Sequence, residues 1–266
     1  MPSFNSINVQ QLARLIGTPQ CPTIVDICIE PDFELDPRLI PTAVRHPFTK
    51  IRDLVPSLRG KKVVVVCQKG LKLSQGASAI LRAEGIECEG LEGGNFAWRD
   101  AGETLIPAAK LPHGGANIPS LWVTRQRPKI DRIACPWLIR RFIDPRAQFL
   151  FVSASEVRHV AEKYDAIPFD VEDVHFSHRG DLCTFDVMLQ EFELTSAPLA
   201  QLGLVVRGAD TNRHDLAPES AGLLALSVGL SRMFRNDLEQ LDAGILVYDA
   251  LYRWARDGMD EQHDWK

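Results

Sequence analysis

The sequence lacks the long apolar run and the leader segment that mark membrane and secreted proteins. Its longest helix-like apolar stretch, Ala221 to Leu230, is too short to cross a bilayer. The N-terminus shows neither the basic segment nor the apolar segment of a signal peptide. Six cysteines are scattered along the 266 residues without a CxxC pair, which favours reduced thiols over a disulfide framework. We therefore expect a cytoplasmic protein that does not bind a membrane.

Positive charge is not in excess either. The formal net charge is −5 at pH 7, which argues against nucleic acid as a general partner. No internal repeat is visible, and a chain of this length with 45% hydrophobic residues can form two ordinary domains. Three prolines and a Gly-Gly pair fall between residues 106 and 119, as in a linker. We predict one domain over residues 1–108, a linker over 109–119 and a second domain over 120–266.

The first domain alternates predicted strands and helices. Thr23–Ile29 and Lys62–Val66 are β-branched runs, which are typical of strands buried on both faces of a parallel sheet. Apolar side chains between residues 73 and 81 have the spacing of one helix face, and Ile86–Leu91 indicates a further strand. This pattern predicts an α/β fold with a central parallel sheet, whose active edge is formed by the carboxyl ends of the strands.

One cysteine, Cys67, lies where a predicted buried strand enters a tight loop before a helix. Backbone N–H groups of the loop, the helix N-terminus and two lysines would favour the thiolate over the thiol and make the sulfur nucleophilic. The same N–H groups could hold an oxyanion such as the sulfite end of thiosulfate. We predict that Cys67 is catalytic and that substrate is bound by Gln68, Lys69, Gly70, Leu71 and Lys72. The alternative is that Cys67 is a small hydrophobic residue of the core.

This region resembles the rhodanese family of sulfurtransferases over about residues 5–108. The resemblance is carried by VDICIE at residues 25–30, CQKGLK at 67–72 and LEGGNFAWRDAG at 91–102. It implies a rhodanese-like fold, a persulfide on Cys67, a small sulfur donor such as thiosulfate, a thiol acceptor and no cofactor. The chain departs from the family at two positions, because Lys72 and Cys28 stand where arginine is usual. The six-residue loop favours sulfur chemistry, since a phosphatase would use a longer loop.

The second domain is predicted to be a mainly helical α+β domain. Strands are expected at Leu121–Thr124 and Ala147–Val152, and helices at about residues 183–192, 197–206, 217–234 and 237–256. Its first segment is dense in cations, and converging guanidinium groups suit tetrahedral anions. The anion-binding candidates are Arg125, Arg127, Lys129 and Arg132. The alternative is a solvated face, or internal ion pairs with Asp131 and Asp144.

Histidine and carboxylate residues recur in HFSHRGDLCTFD at residues 175–186 and in VVRGADTNRHD at 205–215. One imidazole with two or three carboxylates is a ligand set that suits Mn, Fe or Zn. No HxxxH or HExxH spacing is present, and these residues could instead be surface polar groups or helix caps.

Residues 120–256 resemble the ChrB-type C-terminal domain of chromate-resistance proteins. The resemblance is carried by WVTRQRPKIDRIACPWLIRRFID, IPFDV, HRGDLCTFD, VVRGAD and YDALYRWAR, which together extend over nearly the whole domain. It implies an association with chromate sensing and detoxification, with chromate as a ligand. Within these motifs we predict that one divalent metal ion, Mn, Fe or Zn, is bound by His178, Asp186 and Asp210.

Taken together, these patterns predict a rhodanese-type sulfurtransferase fused to a chromate-resistance domain that binds a metal or an oxyanion. Such a protein would act in the response to chromate or oxidative stress. One alternative is a non-catalytic chromate sensor that recognises the anion through its arginines. A transcriptional regulator is a third interpretation. The rhodanese-like domain argues against it, because regulators of the family carry a different N-terminal region.

Overall fold

The computed structural model describes residues 5–261, and the chain divides into two compact units. The first unit comprises the chain up to Ile118 together with Arg141–Pro145. The second comprises Pro119–Arg140 and the chain from Arg146 onward. Each unit has its own sheet and its own buried apolar side chains.

The first unit is built on a five-stranded sheet with the strand order β1-β6-β5-β2-β4. All the neighbouring strands in it run parallel, and β5 lies at its centre. Four consecutive valines make up most of β5 and are buried, because both faces of the sheet are covered. The predicted central parallel sheet is therefore confirmed. Its strands are β1 Ser6–Ile7, β2 Thr23–Asp26, β4 Val44–Arg45, β5 Lys62–Val66 and β6 Glu87–Leu91, while β3 Arg38–Leu39 and β7 Ile106–Pro107 form a separate antiparallel pair.

Helix α4 is the helix that the apolar spacing predicted after the Cys67 loop. It packs Ala77 and Leu81 into the same core as Val63 and Val65 of the central strand. It ends at Ala83, before Gly85, whose φ of +80° is left-handed and favours glycine. The helices of this unit are α1 Val9–Leu15, α2 Glu30–Glu34, α3 Val55–Leu58, α4 Lys72–Ala83 and α5 Gly94–Asp100, with 3₁₀ helices at Phe48–Leu54, Ala108–Lys110 and Pro112–Gly115.

Replacement of Gly76 by alanine is expected to stabilise the protein by about 0.5–1 kcal/mol. Gly76 lies on the exposed side of α4, and an added Cβ would meet no atom within 4 Å. Alanine would therefore cost no packing and would lower the backbone entropy of the unfolded chain. Denaturant unfolding of the two proteins measures the difference. A lower unfolding free energy for the variant would contradict the open environment of this position.

Within residues 119–261, the second unit combines a small parallel sheet with six α-helices, as the predicted mainly helical α+β class requires. Its strand order is β10-β8-β9, with β8 Leu121–Arg125, β9 Gln148–Val152 and β10 Ile167–Pro168. The helices are α6 Asp131–Leu138, α7 Val157–Tyr164, α8 Thr184–Glu191, α9 Ala197–Asp210, α10 Glu219–Met233 and α11 Asp237–Asp257, and a π-helix over Ile139–Ile143 follows α6. Within residues 5–261, no helix has both the length and the apolar character needed to cross a membrane.

Candidate functional site

Cys67 follows the central strand β5 directly and is 5% exposed. Its thiol donates a hydrogen bond to the hydroxyl of Ser74, with 3.3 Å between Sγ and Oγ. The Ser74 hydroxyl in turn donates to the carbonyl of Leu71, at 3.2 Å. The sulfur is thus oriented toward the first turn of α4, and a thiolate at Cys67 could accept a hydrogen bond from the same hydroxyl.

The loop after Cys67 is held through its carbonyl groups. The carbonyls of Cys67 and Gln68 accept hydrogen bonds from the backbone N–H groups of Asn95 and Phe96, at 3.1 and 3.0 Å. By contrast, the backbone N–H groups of Lys69, Leu71 and Lys72 donate to no acceptor within residues 5–261. These donors are available to an anion. The side chains of both lysines are exposed, so the predicted positive charges lie at the surface of the loop.

Two glycines let this loop lie directly against the turn that precedes α5. Gly70 and Gly94 have φ values of +66° and +60°. A Cβ added to Gly70 would lie 2.5 Å from the carbonyl oxygen of Leu91, and one added to Gly94 would overlap the carbonyl oxygen of Cys67. The loop and the Gly-Gly turn therefore pack backbone against backbone, which explains why the two sequence motifs occur together.

A buried polar group supports the loop from the end of β2. Asp26 accepts hydrogen bonds from the backbone N–H of Cys28 and from the side-chain amide of Asn95, both at 2.8 Å. The same Asn95 amide donates to the Cys28 sulfur at 3.3 Å. Burial raises the pKa of the Asp26 carboxyl and the pKa of the Cys28 thiol, which favours the protonated thiol at Cys28. Cys28 lines a cavity of about 240 Å³ together with Gln68 and Phe96.

In the second unit, three carboxylates surround one imidazole. The Nε2 atom of His178 lies 3.1 Å from Asp210 Oδ2, 3.5 Å from Asp131 Oδ2 and 3.6 Å from Asp170 Oδ1. One ligand atom each from Asp131, Asp170 and His178 lie within 4.8 Å of one another. We call Asp131, Asp170, His178 and Asp210 the His178 cluster. His178 and Asp170 also line an open cavity of about 660 Å³.

The two buried carboxylates of this cluster are fixed by the start of helix α8. The backbone N–H of Thr184 donates to Asp131 Oδ2 at 2.6 Å, and its hydroxyl donates to Asp170 Oδ1 at 3.0 Å. Asp131 is the first residue of α6, and Ile130 before it has a left-handed φ of +37°, which is strained for a β-branched side chain. The Ile130 carbonyl accepts a hydrogen bond from Tyr248, which helps to hold this conformation.

The electrostatics of the cluster follow from its burial. The nearby carboxylates favour the charged imidazolium, with Asp131 the largest contributor, and so raise the pKa of His178, while burial raises the pKa of Asp131. Arg132 and Arg125 approach only the outer oxygen of Asp170, at 3.3 and 3.6 Å. Within residues 5–261, no lysine or arginine forms an ion pair with Asp131 or Asp210.

The structure brings together two of the three predicted metal ligands, His178 and Asp210. The third, Asp186, folds back onto the start of its own helix. Its Oδ2 atom accepts hydrogen bonds from the backbone N–H and the thiol of Cys183, at 3.2 and 3.3 Å, and lies 3.6 Å from Arg207. Sequence reasoning passed over Asp131 and Asp170 as ligands. Each lies in one of the quoted motifs and follows an apolar residue, and Asp170 has an apolar residue on both sides, which is a signal of burial.

The four predicted anion-binding cations do not converge on one point. The Arg127 guanidinium donates to the carbonyls of Ser231 and Phe234 at the end of α10, so it caps a helix. Arg132 pairs with Asp170, and Lys129 is exposed. Arg125 alone among the four lines the cavity at His178, which it shares with Arg158.

Comparison with known proteins found sequence relatives that include the second unit and solved structures that resemble the first unit. The family model of the ChrB C-terminal domain matches residues 122–255. Protein ChrB of Cupriavidus metallidurans is 36% identical over 191 residues, which are 67% of this chain and 57% of that protein. The chain thus spans little more than half the length of this curated relative.

Solved structures match the first unit. A rhodanese-related protein from Thermoplasma volcanium is 29% identical, with 39% of this chain and 98% of that chain covered and a TM-score of 0.34. A thiosulfate sulfurtransferase from Pseudomonas aeruginosa is 25% identical, with 39% of this chain and 19% of that chain covered and a TM-score of 0.33.

Proposed function

Since this chain belongs to the family defined by the ChrB C-terminal domain, we propose that it acts in the response to chromate or oxidative stress as a rhodanese-type sulfurtransferase. Cys67 is the proposed sulfur carrier, and the second unit is proposed to bind a metal or an oxyanion. One observation carries the sulfur chemistry. The Cys67 sulfur lies at the carboxyl end of the central strand, beside the loop. The backbone N–H groups of loop residues 69, 71 and 72 donate to no acceptor within residues 5–261.

The proposed reaction has two steps, which balance without a cofactor. The Cys67 thiolate attacks the outer sulfur of thiosulfate, the S–S bond of the donor breaks, and sulfite leaves with the electron pair. The loop N–H groups stabilise the negative charge on the departing sulfite oxygens. A thiolate acceptor then attacks the outer sulfur of the Cys67 persulfide, and the Cys67 thiolate leaves unchanged. Gln68 and Cys28 line the cavity next to the loop. The cavity has a volume of about 240 Å³, which suits a small acceptor.

The test is direct detection of the persulfide. The purified full chain is incubated with thiosulfate, alkylated and digested, and the peptide that contains Cys67 is weighed. We expect the mass of one additional sulfur atom on this peptide and on no other cysteine peptide, with loss of the added mass after treatment with cyanide or a thiol. An unmodified Cys67 peptide under these conditions would contradict the proposed function.

Lys72→Arg is expected to preserve or increase the turnover of thiosulfate. Lys72 is the first residue of α4 and its side chain is exposed, so the longer arginine fits without a clash. Arginine adds a planar pair of N–H donors where lysine offers a point charge. Steady-state cyanide assays give the comparison, with Lys62→Arg at the far end of β5 as the matched control. A loss of about tenfold in kcat/KM would show that the loop is adapted to a different donor.

A non-catalytic chromate sensor is the second candidate. Two observations favour it, since Cys67 is 5% exposed and lysine replaces the usual arginine at the end of the loop. The two candidates differ in one result. If the protein is a sensor, the native chain would transfer no sulfur from thiosulfate, and the Cys67→Ser variant would still bind chromate.

A further inference from the structure

We propose that Asp131, Asp170 and His178 together bind one divalent transition-metal ion of the Mn²⁺ or Fe²⁺ type. This inference rests on the metal-binding part of the proposed function and deepens it by assigning the ligands and the class of ion. The sulfur chemistry of Cys67 does not depend on it, because all the proposed ligands belong to the second unit.

The distances within the cluster do not fit hydrogen bonding alone. A ring nitrogen carries one proton at most, yet Nε2 of His178 faces three carboxylate oxygens at 3.1, 3.5 and 3.6 Å. The two longer distances lie at or beyond the limit of a hydrogen bond. Neighbouring ligand atoms that share an ion at about 2.0–2.2 Å lie roughly 3–3.5 Å apart. The distances from Nε2 to the Asp131 and Asp170 oxygens are close to this range, and one ligand atom from each of these three residues lies within 4.8 Å of the others.

A second observation, independent of the clustering, comes from Asp131. Its side chain is fully buried, and its Oδ1 atom has no hydrogen-bond partner. A buried carboxylate oxygen without a donor is costly, because it has lost its water and gained nothing in exchange. The other oxygen of the same group faces His178 and accepts from Thr184. A cation bound between the carboxylates would satisfy the unpaired oxygen.

The donor set selects the class of ion. One imidazole nitrogen with two carboxylate groups is a mixed set rich in hard ligands, which suits Mn²⁺ and Fe²⁺. Thr184 donates to two of the carboxylates and would orient them, as the outer partners of metal ligands do. His178 and Asp170 also line the open cavity of about 660 Å³, so water or an anion could complete the coordination there. Arg125 lines the same cavity and would favour an anion.

The experiment is a titration of the chelator-treated full chain with Mn²⁺, followed by calorimetry and by the electron paramagnetic resonance signal of free Mn²⁺. We expect one ion per chain. His178→Ala and Asp131→Asn should each weaken binding by at least about tenfold. Two controls should bind as the native protein does. They are His175→Ala, an exposed histidine three residues away that pairs with Glu191, and Asp186→Asn, the ligand favoured by sequence alone.

Thermal unfolding shows whether each variant is folded. Without metal, His178→Ala should unfold cooperatively but below the native temperature, because it removes the imidazole partner of Asp131 and Asp210. Mn²⁺ should raise the midpoint of the native protein but not of this variant. Native-like binding by His178→Ala and Asp131→Asn, or loss of binding in Asp186→Asn alone, would overturn the ligand assignment while metal binding itself stood. Absence of any bound Mn²⁺ or Fe²⁺ would overturn the metal site. In each case the persulfide measurement at Cys67 decides the sulfur-transfer proposal separately.

Discussion

Cys67→Ser is expected to reduce sulfur transfer from thiosulfate by at least about a thousandfold, to the level of the reaction without protein. A serine hydroxyl is far less nucleophilic than a thiolate and forms no persulfide, so the first step is lost and not merely slowed. Serine is close to cysteine in size, and its hydroxyl can keep the hydrogen bond to Ser74. The native fold is therefore retained, which circular dichroism and the unfolding midpoint will show.

Cys88→Ala is the matched control for this experiment. Cys88 is a buried thiol of the same core on the neighbouring strand β6, where it pairs with Val63 near the start of β5. Its loss should leave the turnover of thiosulfate within about twofold of the native value, at a cost in stability of the kind that follows removal of a buried atom. Equal turnover in native protein and Cys67→Ser would remove Cys67 from the reaction. Equal loss in both variants would assign the effect to the core.

Gly94→Ala is expected to destabilise the first unit by about 3 kcal/mol or more. Two costs add at this position. Its φ of +60° is unfavourable for a side chain, and the new Cβ would overlap the carbonyl oxygen of Cys67. The atom that the new Cβ would overlap belongs to the backbone, so relief requires movement of the loop itself. Sulfur transfer should fall with stability, because the loop N–H groups change position.

Gly102→Ala separates these two costs. Gly102 has a similar left-handed φ of +74°, but an added Cβ there would meet no atom within 4 Å. It should cost only the backbone penalty, roughly 1–2 kcal/mol, and leave sulfur transfer unchanged. Denaturant unfolding of both variants, at equal protein concentration, gives the comparison. If Gly94→Ala were no more destabilising than Gly102→Ala, the close approach of loop and turn would be disproved.

The sequence predicted the sheet of the first unit well because burial and local pattern agree there. An unbroken run of valines between turn residues has few alternatives to a buried parallel strand, and Lys62–Val66 is observed as predicted. The same agreement located α10 and α11 to within two residues, since both are long. Boundaries were less accurate where the structure changes conformation without a sequence signal. Helix α6, for example, begins at Asp131 and becomes a π-helix after Leu138.

The composition of the His178 cluster was harder to predict, because spacing along the chain gives residue types but not directions. Asp186 was favoured for its position near His178 and Cys183, yet it occupies the third position of α8. From there its carboxylate returns to the N–H of Cys183, as in a capping box. For Asp186, the helix cap given as an alternative for these residues is therefore what the structure shows. Asp131 and Asp170 approach His178 only through tertiary folding, and no sequence spacing encodes that meeting.

The hydrogen bonds of Asn95 have a consequence for any attempt to shorten the protein. A fragment that ended before Gly94 would contain β5, Cys67, the whole loop and α4. It would lack the N–H groups that hold the loop carbonyls and the amide that links Asp26 to Cys28. Such a fragment would possess the reactive sulfur without its geometry. The setting proposed to make Cys67 a nucleophile therefore requires the whole first unit, and a peptide that contains only the loop would not reproduce it.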